Sequence, residues 1–456
     1  MKYLMVLPVE GYPLPQGGVA IESAFADHLR MLLADFKPYG VRCLHLLLPS
    51  MPSAHYAVNQ YHLGVIGPDE SIHVTFLPPS DTSRVQFLRQ WPVTYRLIEH
   101  AVNDADVLHS GVSENIWKPV EFVACWLAKR LAKPTVFFVD IDQRQSSAMS
   151  YINGQLSAKS YWLCRWVYDP LYVAQIKWAA KHCALSCLKG QSLVDDFGGG
   201  RPQVKNFYDT AHSAEHIMAP AGLENKLNQL RDTETLNAVY FGRLVAYKGI
   251  DHMIRAVVKA NQHGNRQRAV CLTIIGEGEQ RQALQSLIDE LAAREWVRLV
   301  GAVPYGSELF ELLDAQHVLL AAPLSQDTPR SVFDAMCRAV PVLAYDTEYY
   351  SSLVAEGGAQ VVRWNDWQAL SRRLVELARD PAQLRPFMEQ AFGFATHNTQ
   401  PSWLQKRLQW MEGFVFSKVD MALGIPSVEA DASFADVSEL EKQSAKSEIK
   451  EPSEVV

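Results

Sequence analysis

Short, continuously apolar runs alternate with longer amphipathic stretches through nearly the whole chain. The first set of runs is Tyr3–Pro8, Val41–Leu48, Val107–His109, Thr135–Val139 and Ala184–Leu188. The second is Ala238–Phe241, Cys271–Ile275, Val297–Val300, Val318–Ala321, Val340–Ala344 and Ala359–Val362. A strand that is apolar on every residue buries both faces, as strands do in a parallel sheet covered by helices on two sides. A polar, irregular stretch from about Lys205 to Glu234 separates the two sets. The pattern predicts an α/β protein of two doubly wound, Rossmann-like domains, over residues 1–210 and 236–395, with a linker at 211–235. Residues 396–417 read as one last amphipathic helix. From 418 to 456 Ser, Glu, Lys and Ala dominate, and that composition predicts a disordered tail.

Composition narrows the function classes. The formal net charge of −7 argues against a nucleic-acid binder built on a basic surface. Residues 421–456 carry eight acids against three lysines, so the rest of the chain is close to neutral. No apolar run reaches the roughly 18–20 residues that span a bilayer. The N-terminus MKYLMVLPVEGYPLP reads as a first strand rather than a signal peptide, because Glu10 follows the short apolar run without a small-residue cleavage site. Seven scattered cysteines match reduced packing thiols of a cytoplasmic protein.

Four segments carry candidate chemistry. In PQGGVAIESAF, Gly17 and Gly18 could bring backbone close to a ligand at the start of a helix, or make an ordinary tight turn. In AVYFGRLVAYKG, Arg243 and Lys248 follow a strand end, framed by Gly242 and Gly249, at the carboxyl edge where open α/β sheets bind ligands. A guanidinium and an ammonium there suit a pyrophosphate. In LTIIGEGEQRQAL, Gly276 and Gly278 mark a turn; Arg281 stands where a dinucleotide fingerprint needs its third glycine, which argues against a nicotinamide cofactor. In APLSQDTPRSVFDAM, Thr328 is expected to cap a helix opening at Pro329, with Arg330 and Ser331 presenting backbone donors. Asp334 then lies inside an apolar helix, where a carboxylate needs a partner or a ligand.

Arg243 in GRLVAYKG, the GEG turn, the LVGAVP strand end and SQDTPRSVFDAM occur in an order and spacing that resemble retaining glycosyltransferases of the GT-B fold, in the GT4-like superfamily. The similarity is best over about 238–365 and weaker over 1–200, where the glycine pair, DVLHSG and KPTVFFVD look like N-domain landmarks. The resemblance implies transfer of a sugar from a nucleotide-sugar donor to a glycan, lipid-linked or small-molecule acceptor, with retention and with no cofactor or metal. It implies that Arg243 and Lys248 hold the donor diphosphate and that Gly17 and Gly18 border it. It places Gly276, Val303, Pro329, Arg330, Ser331 and Asp334 around the nucleotide, with Asp334 on the ribose. It makes Gln326, Asp334 and Asp140 the catalytic candidates, and residues 396–417 the helix that crosses back to the first domain. Three positions depart from the family's pattern: Gln326 where a Glu is usual, Asp327 where a Gly is usual, and Asp140 where a His is usual. A catalytically lapsed nucleotide-binding or scaffold protein, or another sugar-nucleotide enzyme of this fold, therefore stays open as the alternative.

Two features remain. The Asp-x-Asp sequences at 104–106 and 140–142 could hold a divalent ion against a diphosphate, but the cationic pair supplies that charge, and no metal site is assigned. The aromatic segment SYWLCRWVYDPLYVAQIKWAAKH could be a core helix broken near Asp169-Pro170, or a face for a membrane or hydrophobic acceptor. The core reading is preferred, with peripheral contact at the cytoplasmic membrane face as the other.

Overall fold

A computed structural model describes residues 1–60, 63–262 and 268–419. The expected disordered tail lies outside the described residues, save its first two positions, which extend the last helix. The first half contains strands β1 (Lys2–Val6), β2 (Tyr12–Pro13), β3 (Val19–Glu22), β4 (Cys43–Pro49), β5 (Leu63–Ile66), β6 (Ile72–Leu77), β7 (Val107–Gly111), β8 (Thr135–Val139), β9 (Leu185–Leu188) and β10 (Val204–Asn206). Seven of them form a parallel sheet in the order β10-β9-β8-β7-β1-β4-β6. The second half adds β11 (Thr235–Phe241), β12 (Ala269–Ile275), β13 (Val297–Gly301), β14 (Val318–Ala321), β15 (Val342–Tyr345) and β16 (Ala359–Val362). These form a second parallel sheet, β13-β12-β11-β14-β15-β16, whose order reverses between β11 and β14.

Burial explains both sheets. Strands β9, β14 and β15 are buried at every residue, as their unbroken apolar runs require. Helix Ser23–Phe36 covers the first sheet through Ala26, Leu29, Leu33 and Phe36, a stripe at helical spacing. Truncating a fully buried member such as Leu29 to Ala would cost about 2–5 kcal/mol.

Three local expectations are corrected. Gly17 and Gly18 do not open a helix: they turn the β2–β3 hairpin, which pairs through β3 with β5 in a separate antiparallel sheet. Both glycines have positive φ, and a Cβ on Gly18 would lie 2.4 Å from the Ile66 carbonyl oxygen. The polar linker contains helix Pro220–Gln229, which buries Leu227 against the second sheet. The aromatic segment is not broken at Pro170. It runs from Ala158 to His182, with a π turn at Cys164–Tyr168. There the Asp169 N–H reaches back to the Cys164 carbonyl, and the proline that follows, which has no N–H to offer, is accommodated.

That helix also divides its residues differently from the core reading. Tyr172, Ile176, Ala179 and Ala180 are buried, but Trp162, Leu163, Val167 and Leu171 are exposed and Trp166 is 73% exposed. The final helix, Gln400–Met411 and its π-turn continuation to Phe416, packs Phe416 on Phe36 and Tyr39 of the first half. Around Tyr208, at the crossing between halves, Phe333, Phe394 and Trp403 lie with ring centroids 5.4–5.6 Å away.

Candidate active site

A cavity of about 370 Å³ opens at the carboxyl ends of β11 and β14, the point where the second sheet reverses its order. Ligands of open α/β sheets bind at such switch points. Its wall is made by Tyr240–Arg243, by Tyr247 and Lys248, by Leu319–Pro323 and by Asp327–Val332. Asp209, from the crossing segment, closes one side.

Backbone geometry fixes the cationic loop. Gly249 has φ 61°, and a Cβ there would lie 2.0 Å from the Ala322 carbonyl oxygen. The Leu324 N–H donates to the Tyr247 carbonyl at 2.7 Å. The loops after β11 and β14 are therefore docked edge to edge. Gly276 serves the same packing: a Cβ would fall 1.9 Å from the Gly242 carbonyl oxygen. A ligand is not needed to explain that glycine.

The cavity brings together five of the residues expected from sequence: Arg243, Lys248, Pro329, Arg330 and Ser331. Gly17, Gly18, Gly276, Val303, Gln326, Asp334 and Asp140 do not line it. Asp334 is buried on helix Ser331–Met336 and accepts from the Tyr305 hydroxyl at 3.0 Å. Burial pushes its carboxyl up to about 7, opposed by that hydrogen bond and by Arg330. Val303 packs at the edge of the core, two residues before Tyr305. Gln326 is buried too, but its Nε2 faces Gln145 Oε1 of the first half at 3.3 Å. Gln145 in turn donates to Glu348 Oε1 at 2.8 Å.

The expected Thr328 cap is also corrected. The helix opens at Ser331, and the Thr328 hydroxyl instead donates to the Asp140 carbonyl at 3.3 Å. Asp140 directly follows β8 at the cleft, where desolvation raises its carboxyl pKa while Lys189 lowers it. Asp142 does not stand free for an ion, since Arg144 Nε lies 2.9 Å from both of its carboxylate oxygens. Asp104 likewise holds Lys2 Nζ, and Asp106 accepts from the Lys2 N–H.

Lys189 was not singled out from sequence. It follows β9 at the carboxyl edge of the first sheet, and it is buried with Nζ 3.4 Å from the Thr328 carbonyl. Burial lowers its pKa, against the pull of Asp209 and Asp140. The available signal was its place directly after the apolar run ending at Leu188, the same signal that exposed Arg243.

Two sheets facing each other across a cleft, with a cationic pocket at the second sheet's switch point, make up the GT-B fold. Residues 224–393, which include the whole second sheet, match the family model of glycosyl transferases group 1. Among curated proteins, the chain is 23% identical over 292 residues to the poly(glycerol-phosphate) alpha-glucosyltransferase of Bacillus subtilis (strain 168), covering 61% of this chain and 41% of that protein. It is 23% identical over 178 residues to the alpha-monoglucosyldiacylglycerol synthase of Acholeplasma laidlawii, covering 39% and 42%. The chain thus spans less than half the length of these relatives. Among solved structures, Anabaena HepE in complex with UDP superposes with TM-score 0.53 at 16% identity, over 93% of this chain and 98% of that one. WaaG, a glycosyltransferase involved in lipopolysaccharide biosynthesis, gives TM-score 0.53 at 14% identity, over 90% and 99%. At these identities the structures establish the shared fold.

Proposed function

We propose that this chain transfers a sugar from a nucleotide-sugar donor to an acceptor hydroxyl, with retention at the anomeric carbon. The observation that carries the reading is the gathering of Arg243, Lys248 and Arg330 on one cavity at the switch point of the group 1 domain. Cations fixed there stabilise the charge that develops on a departing diphosphate, which is where such a transfer gains most. Arg243, which has no carboxylate partner among the described residues of the wall, offers such charge without a divalent ion, so donor binding is expected to persist in excess chelator. Asp334, with Tyr305 hydrogen-bonded to it, is assigned the nucleoside side; Asp140 and Lys189, which meet Thr328 from the first domain, are assigned the side of the sugar and acceptor. HepE, whose structure was solved with UDP, supports a nucleoside diphosphate as the ligand.

The test is a thermal-shift panel of UDP, GDP, ADP and their sugars on the wild type and on Arg243→Ala. One nucleotide series should raise the melting temperature, and Arg243→Ala should weaken its affinity roughly ten- to a hundredfold, the worth of a charge-assisted contact. Binding unchanged in a folded Arg243→Ala would overturn the assignment. Binding without any transfer or donor hydrolysis would instead favour the lapsed-enzyme reading, which the neutral Gln326 and its engagement with Gln145 support.

The exposed ridge of Trp162, Leu163, Trp166 and Val167 supports a second element of the proposal: peripheral contact with a lipid surface, from which a lipid-linked acceptor would be drawn. Lys159 and Arg165 flank the ridge, and exposed aromatics beside cations suit an anionic interface.

A further inference from the structure

The charges that line the cavity are largely spent on one another. Lys248 Nζ lies 2.5 Å from Asp327 Oδ2, and each side chain is only 13% exposed. Arg330 Nε lies 3.7 Å from Asp209 Oδ2. Among the described residues of the wall, Arg243 alone has no carboxylate partner; its Nη2 is 3.4 Å from the Tyr247 hydroxyl. The wall's cations therefore exceed its acids by a single charge, far less than three free cations would present to a diphosphate.

We propose that Asp327 is an intramolecular competitor for phosphate: its carboxylate occupies Lys248 in the empty cavity and must release it when a phosphate enters. Asp327 thereby sets how tightly, and how selectively by charge, the cavity binds anions. The inference rests on the nucleotide reading above and specifies how that site is regulated. Three observations support it. Both partners line the cavity, so the pair sits in the ligand's path and not behind it. Their exclusion from solvent makes the pair stronger than a surface bridge, and makes a second anion beside Asp327 correspondingly costly. The two loops are docked together through Gly249 against Ala322 and through the Leu324 to Tyr247 hydrogen bond, so Lys248 cannot leave Asp327 by a movement of its loop alone. Release has to come from side-chain rotation, driven by the incoming phosphate.

The neutral, nearly isosteric Asp327→Asn variant separates competition from structural support. Binding to wild type and variant is measured by calorimetry with a nucleoside, its monophosphate and its diphosphate, over the uracil, guanine and adenine series. Asp327→Asn should leave the nucleoside unchanged and tighten the diphosphate about tenfold, with the monophosphate between. Lys248→Ala placed on Asp327→Asn should remove that gain. Asp327→Ser is the second variant, and should give the same ordering if the amide itself disturbs the loop. An equal change for the uncharged nucleoside, or weaker diphosphate binding in both variants, would overturn the competitor role. If the wild type binds a diphosphate and neither variant binds it better, this inference falls and the nucleotide reading stands. If no nucleotide binds to the wild type or to any variant, both fall.

Discussion

Asp334 and its surroundings show how a single buried group ties stability to pH. Its carboxyl is raised from 3.8 to about 7, burial being the chief cause. A carboxyl whose folded pKa lies above its unfolded value costs nothing at pH below about 4, where both states are neutral. The cost grows as pH rises, and levels off above about 7, once the folded form also ionises. Asp334→Asn removes that dependence. The variant's melting temperature should therefore gain on the wild type between about pH 4 and pH 7, with little further change above. A constant difference across that range would show that Asp334 is not held protonated. If the proposed assignment of the Tyr305–Asp334 pair to the nucleoside side holds, nucleotide affinity should fall in the same variant. Sequence exposed this residue because an acid inside Val332, Phe333, Ala335 and Met336 is conspicuous. It could not expose Tyr305, whose partner comes from a different strand–helix connection. Nor could it expose the pairing of Lys248 with Asp327, because a separation of 79 residues carries no local signal.

At the scale of elements, legibility followed burial. Strands buried on both faces were readable as apolar runs; β8 and β14 fall on their expected residues, and so does the edge strand β16, which buries only Ala359 fully. The edge strand β6 and the hairpin strands of the first half were not. β6 buries only its two end residues fully, and β5 carries Gly64, which is needed because a Cβ there would press within 3.1 Å of Ser23 Cα. The helix of residues 158–182 was the hardest to read, since the same tryptophans serve a core or an interface and only the packing decides. With Trp162 and Trp166 out in solvent, this helix should bind lipid. The chain is expected to float with vesicles containing anionic lipid, and less so with neutral ones. Replacing Trp162 and Trp166 by Ser should abolish flotation while leaving nucleotide affinity and melting temperature nearly unchanged. Equal flotation of the variant would remove the ridge from any membrane role.

At the mouth of the cleft the loop after β14 makes several contacts to the first half, beside the Gln145 to Glu348 hydrogen bond. Asn153 Nδ2 donates to the Leu324 carbonyl at 2.5 Å, Lys189 reaches the Thr328 carbonyl, and the Thr328 hydroxyl reaches Asp140. Each such hydrogen bond is worth about 1 kcal/mol net, so the mouth opens at modest cost. The expected outcome for Asn153→Ala is a larger radius of gyration by small-angle scattering, reversed by a saturating nucleotide. No change in the free variant would mean that the cleft is held by the rest of the interface.

The opposite side of the cleft behaves differently, and it limits how the chain can be divided. Phe333 belongs to the family-matched stretch, but the rings stacked around it and Tyr208 include Phe394 and Trp403, which lie beyond that stretch, as Tyr208 itself lies before it. A recurring unit of sequence is here not a unit of folding. Cut out alone, residues 224–393 would carry a raw aromatic seam into water, and the protein's smallest autonomous piece is accordingly expected to be larger than the stretch that the family model matches.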